Sequence, residues 1–183
     1  MSDSGHARAI DRVHALFQDV LAHGLRADAV SGATNAEIDG MAVAQQAAAV
    51  PAALREILRL IGYDRGPYFG DGSAFGVELR LDEKSMALEF FDEIAAPPAE
   101  FRDPEGMLVL HYHGGYQVCV LDGADLDDPD PPVWLLREDG ELARLWSTTT
   151  EWFSGVCAEV KSRVDQLGLA RHQSDLDWAA YFC

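Results

Sequence analysis

Residues 107–122 read MLVLHYHGGYQVCVLD, and the fold follows from them. Two runs rich in strand-forming residues, 107–113 and 116–122, flank Gly114-Gly115. A two-residue hairpin turn there pairs His113 with Tyr116, His111 with Val118 and Val109 with Val120. One face then carries Val109, His111, His113, Tyr116, Val118 and Val120. The other carries Leu108, Leu110, Tyr112, Gln117, Cys119 and Leu121. Both faces are largely apolar, which predicts a central pair of strands covered on both sides.

The next stretch, Asp122–Trp146, reads DGADLDDPDPPVWLLREDGELARLW. Asp122, Asp125, Asp127, Asp128 and Asp130 are interleaved with Pro129, Pro131 and Pro132, a rigid acidic loop. The apolar run Val133–Leu136, the Asp139-Gly140 turn and a second run ending at Trp146 predict another hairpin. This stretch reads as a recognition edge. The five aspartates are candidate partner-steering groups, and Trp134 and Trp146 are candidate anchors. Core packing is the alternative for each tryptophan.

A last helix is predicted from Thr149 or Thr150, with Trp152, Phe153, Val156, Val160 and Val164 inward and Gly168 as its stop. The tail from Leu169 has aromatic residues but no clean period, and docks on the core or on another copy.

On the N-terminal side, 74–81 (AFGVELRL) alternates as a strand, and Lys84–Ile94 reads as a helix. The tracts GYDRGPYFGDGS and AAPPAEFRDPEG are loops. Thr34 to Glu37 forms a capping-box pattern opening an alanine-rich helix that runs toward Ala49. Pro51 suits the first turn of a further helix, Ala52–Ile61. Residues 9–22 form an amphipathic helix, read as an appendage on the main domain.

The expected architecture is α+β, a mostly antiparallel sheet of about four to six strands with helices packed around it. One domain spans 1–183, with a helical extension at 1–28, a core at 30–165 and a tail at 166–183.

The formal charge of −17 is unusual, with lysine only at positions 84 and 161. Such a field repels nucleic acid and anionic membranes and attracts a basic protein or a cation. There is no run of about 18 apolar residues for a membrane span and no signal-peptide pattern. Three scattered cysteines (119, 157, 183) fit a reducing compartment, so a cytoplasmic location is expected.

Chemistry-bearing patterns are weak. His111 and His113 share a strand face, but the expected register gives them Val109, Val118 and Tyr116 as neighbours, none of them a third metal ligand. The same register puts Cys119 on the opposite face from both, against a nucleophile pair. The aspartate loop fails the EF-hand spacing in the frames starting at Asp122 and at Asp125. No phosphate-binding glycine loop, GxSxG, HExxH or CxxC occurs. No catalytic residue, cofactor or metal site is expected.

The order of pieces resembles the SUKH superfamily. The matching features are Ala36-Glu37-Ile38, Val50-Pro51, Ile61-Gly62, His113-Gly114-Gly115-Tyr116, Asp128-Pro129-Asp130-Pro131-Pro132-Val133-Trp134, Trp146-Ser147 and Thr150-Glu151-Trp152-Phe153. The resemblance covers roughly 30–165. It departs where the superfamily's Glu-x-x-Leu-Gly precedes Leu-Pro, since GMAVAQQAAAVP stands there, and where Asn-Gly-Gly is replaced by Ile61-Gly62-Tyr63.

The resemblance implies an α+β fold without catalytic residues. It also implies kinship with fungal cell-wall-assembly regulators and with bacterial immunity proteins that neutralise polymorphic toxins, many of them nucleases. The expected partner is a basic toxin domain, with no direct nucleic-acid or membrane contact. A regulatory or scaffolding module without a toxin partner is the alternative. An unrecognised enzyme would show a polar pocket around His111 and His113, whereas a dry apolar setting argues against one.

Overall fold

The computed structural model describes residues 3–70, 72–167 and 181–182. Helix α1 spans Asp3–Ala22, α2 Asn35–Ala44, α3 Ala52–Ile61, α4 Leu81–Asp92 and α5 Thr149–Leu167. Strands β1 (Ser73–Phe75), β2 (Leu108–His113), β3 (Gln117–Leu121), β4 (Val133–Arg137) and β5 (Leu142–Trp146) form one sheet in chain order. Each strand runs antiparallel to the next. The architecture is α+β, as the strand and helix periods predict. Gly168, the expected stop of the last helix, lies outside the described residues.

The sheet is covered on both faces. Leu108, Leu110, Cys119, Leu121, Val133 and Leu135 pack against α1, α3 and α5, which contribute Val13, Phe17, Leu54, Ile57, Phe153 and Val160. Val109, Val118, Val120, Trp134, Leu136 and Leu142 pack beneath Leu79, Ala87, Phe101 and Met107. Helix α1 begins earlier than its apolar stripe predicts and supplies buried residues to this core.

The β2–β3 register corrects the expected one. Val109 pairs with Val120 as expected, but His111 pairs with Cys119 and His113 with Gln117. Tyr116 is an extra residue at the turn, and its carbonyl accepts from Glu138 N at 3.1 Å. A β-bulge at Leu110 adds one residue to β2, and the two offsets cancel at Val109. Because faces alternate, this slip brings His111 and Cys119 to the same face, not opposite ones.

Three element boundaries also move. The strand expected over 74–81 stops at Phe75, because Gly76 takes φ +86 and turns the chain into a short 3₁₀ segment, Gly76–Glu78. A Cβ at Gly76 would meet Gly62 O at 2.2 Å, so no other residue fits. Helix α2 has the expected capping box but ends at Ala44 rather than near Ala49. There the buried Gln45 side chain bonds β2 and Gln46 takes φ 55, so tertiary bonding overrides alanine's propensity. The helix expected over Lys84–Ile94 begins at Leu81 and ends at Asp92.

The tail is described only at Tyr181 and Phe182. Both are half-buried, with Arg26 N donating to Tyr181 O at 2.9 Å and Phe182 bridging Leu25.

Candidate protein-binding surface

The acidic loop lies at one end of the sheet, between β3 and β4. Four of its five aspartates have structural duties. Asp122 is 0 % exposed. Its carboxylate accepts from the backbone N–H of Arg102 (2.8 Å), Asp103 (2.8 Å) and Ala124 (3.1 Å), tying the 95–107 loop to the end of β3. Asp125 pairs with Arg102, and partial burial holds its carboxyl above the usual carboxylate range despite that cation. Asp128 accepts from Asp130 N at 2.9 Å, an Asx turn around Pro129. Asp130 accepts from Thr150 N (2.8 Å) and Thr150 Oγ1 (2.6 Å), capping the start of α5 and placing a carboxylate at its positive end.

The prolines complete the joint. Pro129 O accepts from Ala53 N in the first turn of α3, and Pro131 O accepts from Thr149 Oγ1. The Asp-Pro stretch therefore ties the first turns of α3 and α5 to β4. Asp127 and Asp128 are the loop aspartates left exposed.

The tryptophans divide. Trp134 is 4 % exposed and meets the Phe101 ring edge-on at 5.3 Å, so it is core and not a surface anchor. Trp146 is half-buried against the core. Its indole nitrogen lies 3.9 Å from where a Cβ on Gly155 would sit, which lays the ring along α5. Trp146 pairs with Val133, three residues after the Asp130 cap, so it lies at the same end of the sheet as the acidic loop.

Beside it is a residue that sequence patterning missed. Val133 pairs with Trp146, yet Trp134 pairs with Arg144, so Leu145 is the extra residue of a β-bulge in β5. It is 51 % exposed. Nothing in the alternation of ELARLW marks that bulge. Glu151, also exposed at this end, accepts from Ser147 N at 2.8 Å.

The histidines lie at the other end of β2. His111 stacks on Phe69 at 4.4 Å, within a group that includes Phe75 and Trp152. Burial there, with His113 and Arg65 nearby, lowers its pKa to about 4. His113 Nδ1 and Ser73 Oγ are 2.8 Å apart across the β1–β2 pair. Cys119 now faces His111, but burial raises its thiol to about 12, so it is not a poised nucleophile. Among the described residues, no group of three or more His, Cys, Asp or Glu converges to hold a metal.

A family model described as SMI1 / KNR4 family (SUKH-1) matches residues 32–155, more than half of the chain. The chain belongs to the SMI1 / KNR4 family (SUKH-1). Neither a curated protein nor a solved structure matches it. The SUKH-1 match runs from just before α2 through the first turns of α5, and so includes the acidic loop, the β4–β5 hairpin and the Asp130 cap. Among the described residues no helix is long and apolar enough to cross a membrane.

Proposed function

We propose that this SUKH-1 chain is a non-catalytic protein-binding module. In this reading it is an immunity protein that neutralises a basic toxin domain inside the cytoplasm. The observation that carries it is the composition of one exposed end of the sheet. Asp127 and Asp128 are exposed there, at the same end of the sheet as the half-buried Trp146, in a chain of net charge −17. Exposed carboxylates at the sheet end that carries a partly exposed aromatic suit fast, steered association with a basic surface.

The dry aromatic setting of His111 supports the non-catalytic half of the reading, since a proton-transfer site needs a titrating group within reach of substrate. Asp122 and Trp134 drop out of the recognition set because both are buried, and Asp125 and Asp130 serve mainly as joints.

The test is co-expression with the product of any toxin-like gene found immediately upstream of this one. Rescue of growth supports immunity, and an intact chain without rescue favours a regulatory or scaffolding role. With a partner in hand, Asp127→Lys combined with Asp128→Lys is expected to slow association and flatten its salt dependence. Unchanged kinetics would remove the loop from the interface.

A further inference from the structure

Resting on the proposed binding role, we infer that the β5 bulge is the apolar anchor of the partner-binding surface, seated by insertion of side chains and not by strand addition. β5 is the last strand of the sheet among the described residues, an edge on which another chain can act. Two features blunt it as a template for backbone pairing. The bulge at Leu145 breaks the ladder within a five-residue strand. The Arg144 guanidinium, exposed on that strand, has no hydrogen bond or ion pair with the side chains of the described residues, and a solvated edge charge opposes docking of a further strand.

The same bulge pushes Leu145 outward beside Trp146. An exposed leucine next to a partly buried tryptophan, with the Glu151 carboxylate held at Ser147 N just beyond it, has an apolar centre and an acidic group at its edge, at the sheet end that also carries the acidic loop. The complementary occupant is a basic protein segment that presents apolar side chains between its lysines and arginines. Charge selects it: a second copy of this chain would bring another −17 to the same place.

Tyr63 supplies an internal control. It is 69 % exposed, more than Leu145. It follows α3, whose first turn is held by Pro129 O, so it stands about 15 Å along the helix from the loop.

The experiment is selection of a phage-displayed random-peptide library on the full chain, followed by affinity measurement of the enriched peptides. The expected result is enrichment of basic peptides with interspersed apolar residues. Leu145→Asp should weaken them roughly tenfold or more, as for an interface hot spot, while Tyr63→Asp leaves them unchanged. Because Leu145 is exposed, the variant is expected to keep the native circular dichroism and melting temperature, and Leu145→Ala provides a milder version if it does not. Peptides that lose affinity on Asp127→Lys/Asp128→Lys but not on Leu145→Asp would overturn the anchor and leave the charge-based binding role standing. Acidic or purely apolar peptides, or no enrichment, would overturn the inference.

Discussion

Gln45 and Val109 exchange two hydrogen bonds: Val109 N–H donates to Gln45 Oε1 at 2.8 Å, and Gln45 Nε2 donates to Val109 O at 3.1 Å. A side-chain amide thus mimics the strand that would continue β1, beside the β2 bulge where β1 has already ended. The Gln45 carbonyl in turn accepts from the buried Lys84 Nζ at 2.6 Å. Helices α2 and α4 are tied to the sheet through one residue.

Replacing Gln45 by Leu leaves both Val109 backbone groups unpaired in a dry interior. The expected loss is about 2–4 kcal/mol in urea unfolding, with an unchanged m-value. Gln45→Glu retains the acceptor but sets a carboxylate against Val109 O, so its deficit should shrink as the solution is acidified toward the carboxyl pKa. A Gln45→Leu variant as stable as the parent would show that the amide pair is not a net support.

His111 sets a pH dependence. Its pKa falls from 6.5 in the unfolded chain to about 4 in the fold, by burial first and then the charges of His113 and Arg65. Between those values the unfolded chain binds more protons, so stability rises with pH. The contribution is fully present above about 6.5 and lost as pH falls toward 4, on the order of 2 kcal/mol after allowing for partial exposure. His111→Phe keeps the stack on Phe69, and melting temperatures across this window should then lose that part of the slope.

The aspartates of the loop should separate by role. Asp122→Ala unpairs three backbone N–H groups at a buried site, and a loss of about 3 kcal/mol or more is expected. Asp130→Ala removes the acceptor of Thr150 N and Oγ1 at the start of α5 while the Thr148 Oγ1 cap on Glu151 N remains, at a cost of about 1–2 kcal/mol. Asp127→Asn should leave the chemical-denaturation midpoint within about 0.5 kcal/mol of the parent, as for an uninvolved surface residue. Equal losses at all three positions would contradict the division between joints and free charges.

The two described thiols should be inert. Burial raises both Cys119 and Cys157 to about 12. In a Cys183→Ser background, a thiol reagent at neutral pH should modify neither until the chain unfolds, with labelling tracking global opening by mass spectrometry. Fast labelling of the native chain would show that one of them is accessible.

Much of this fold is written in local pattern. The α3 limits, the capping box of α2, the β4–β5 hairpin across Asp139-Gly140 and the paired strands around Gly114-Gly115 follow from period and turn chemistry, which act within a few residues. The order of those pieces also carries the resemblance to the SUKH superfamily. What sequence alone did not determine is which residues the assembled layers leave outside. The β2–β3 register depends on an extra turn residue held by Glu138, just past the end of β4, and on a bulge next to Gln45, both long-range bonds. The same holds for the surface. Five aspartates look alike in a string, yet backbone N–H groups from distant segments occupy Asp122 and Asp130 and leave Asp127 to solvent. Two tryptophans look alike as well, and only the packing of Phe101 above the sheet and of α5 below it buries one and leaves the other partly open beside Leu145.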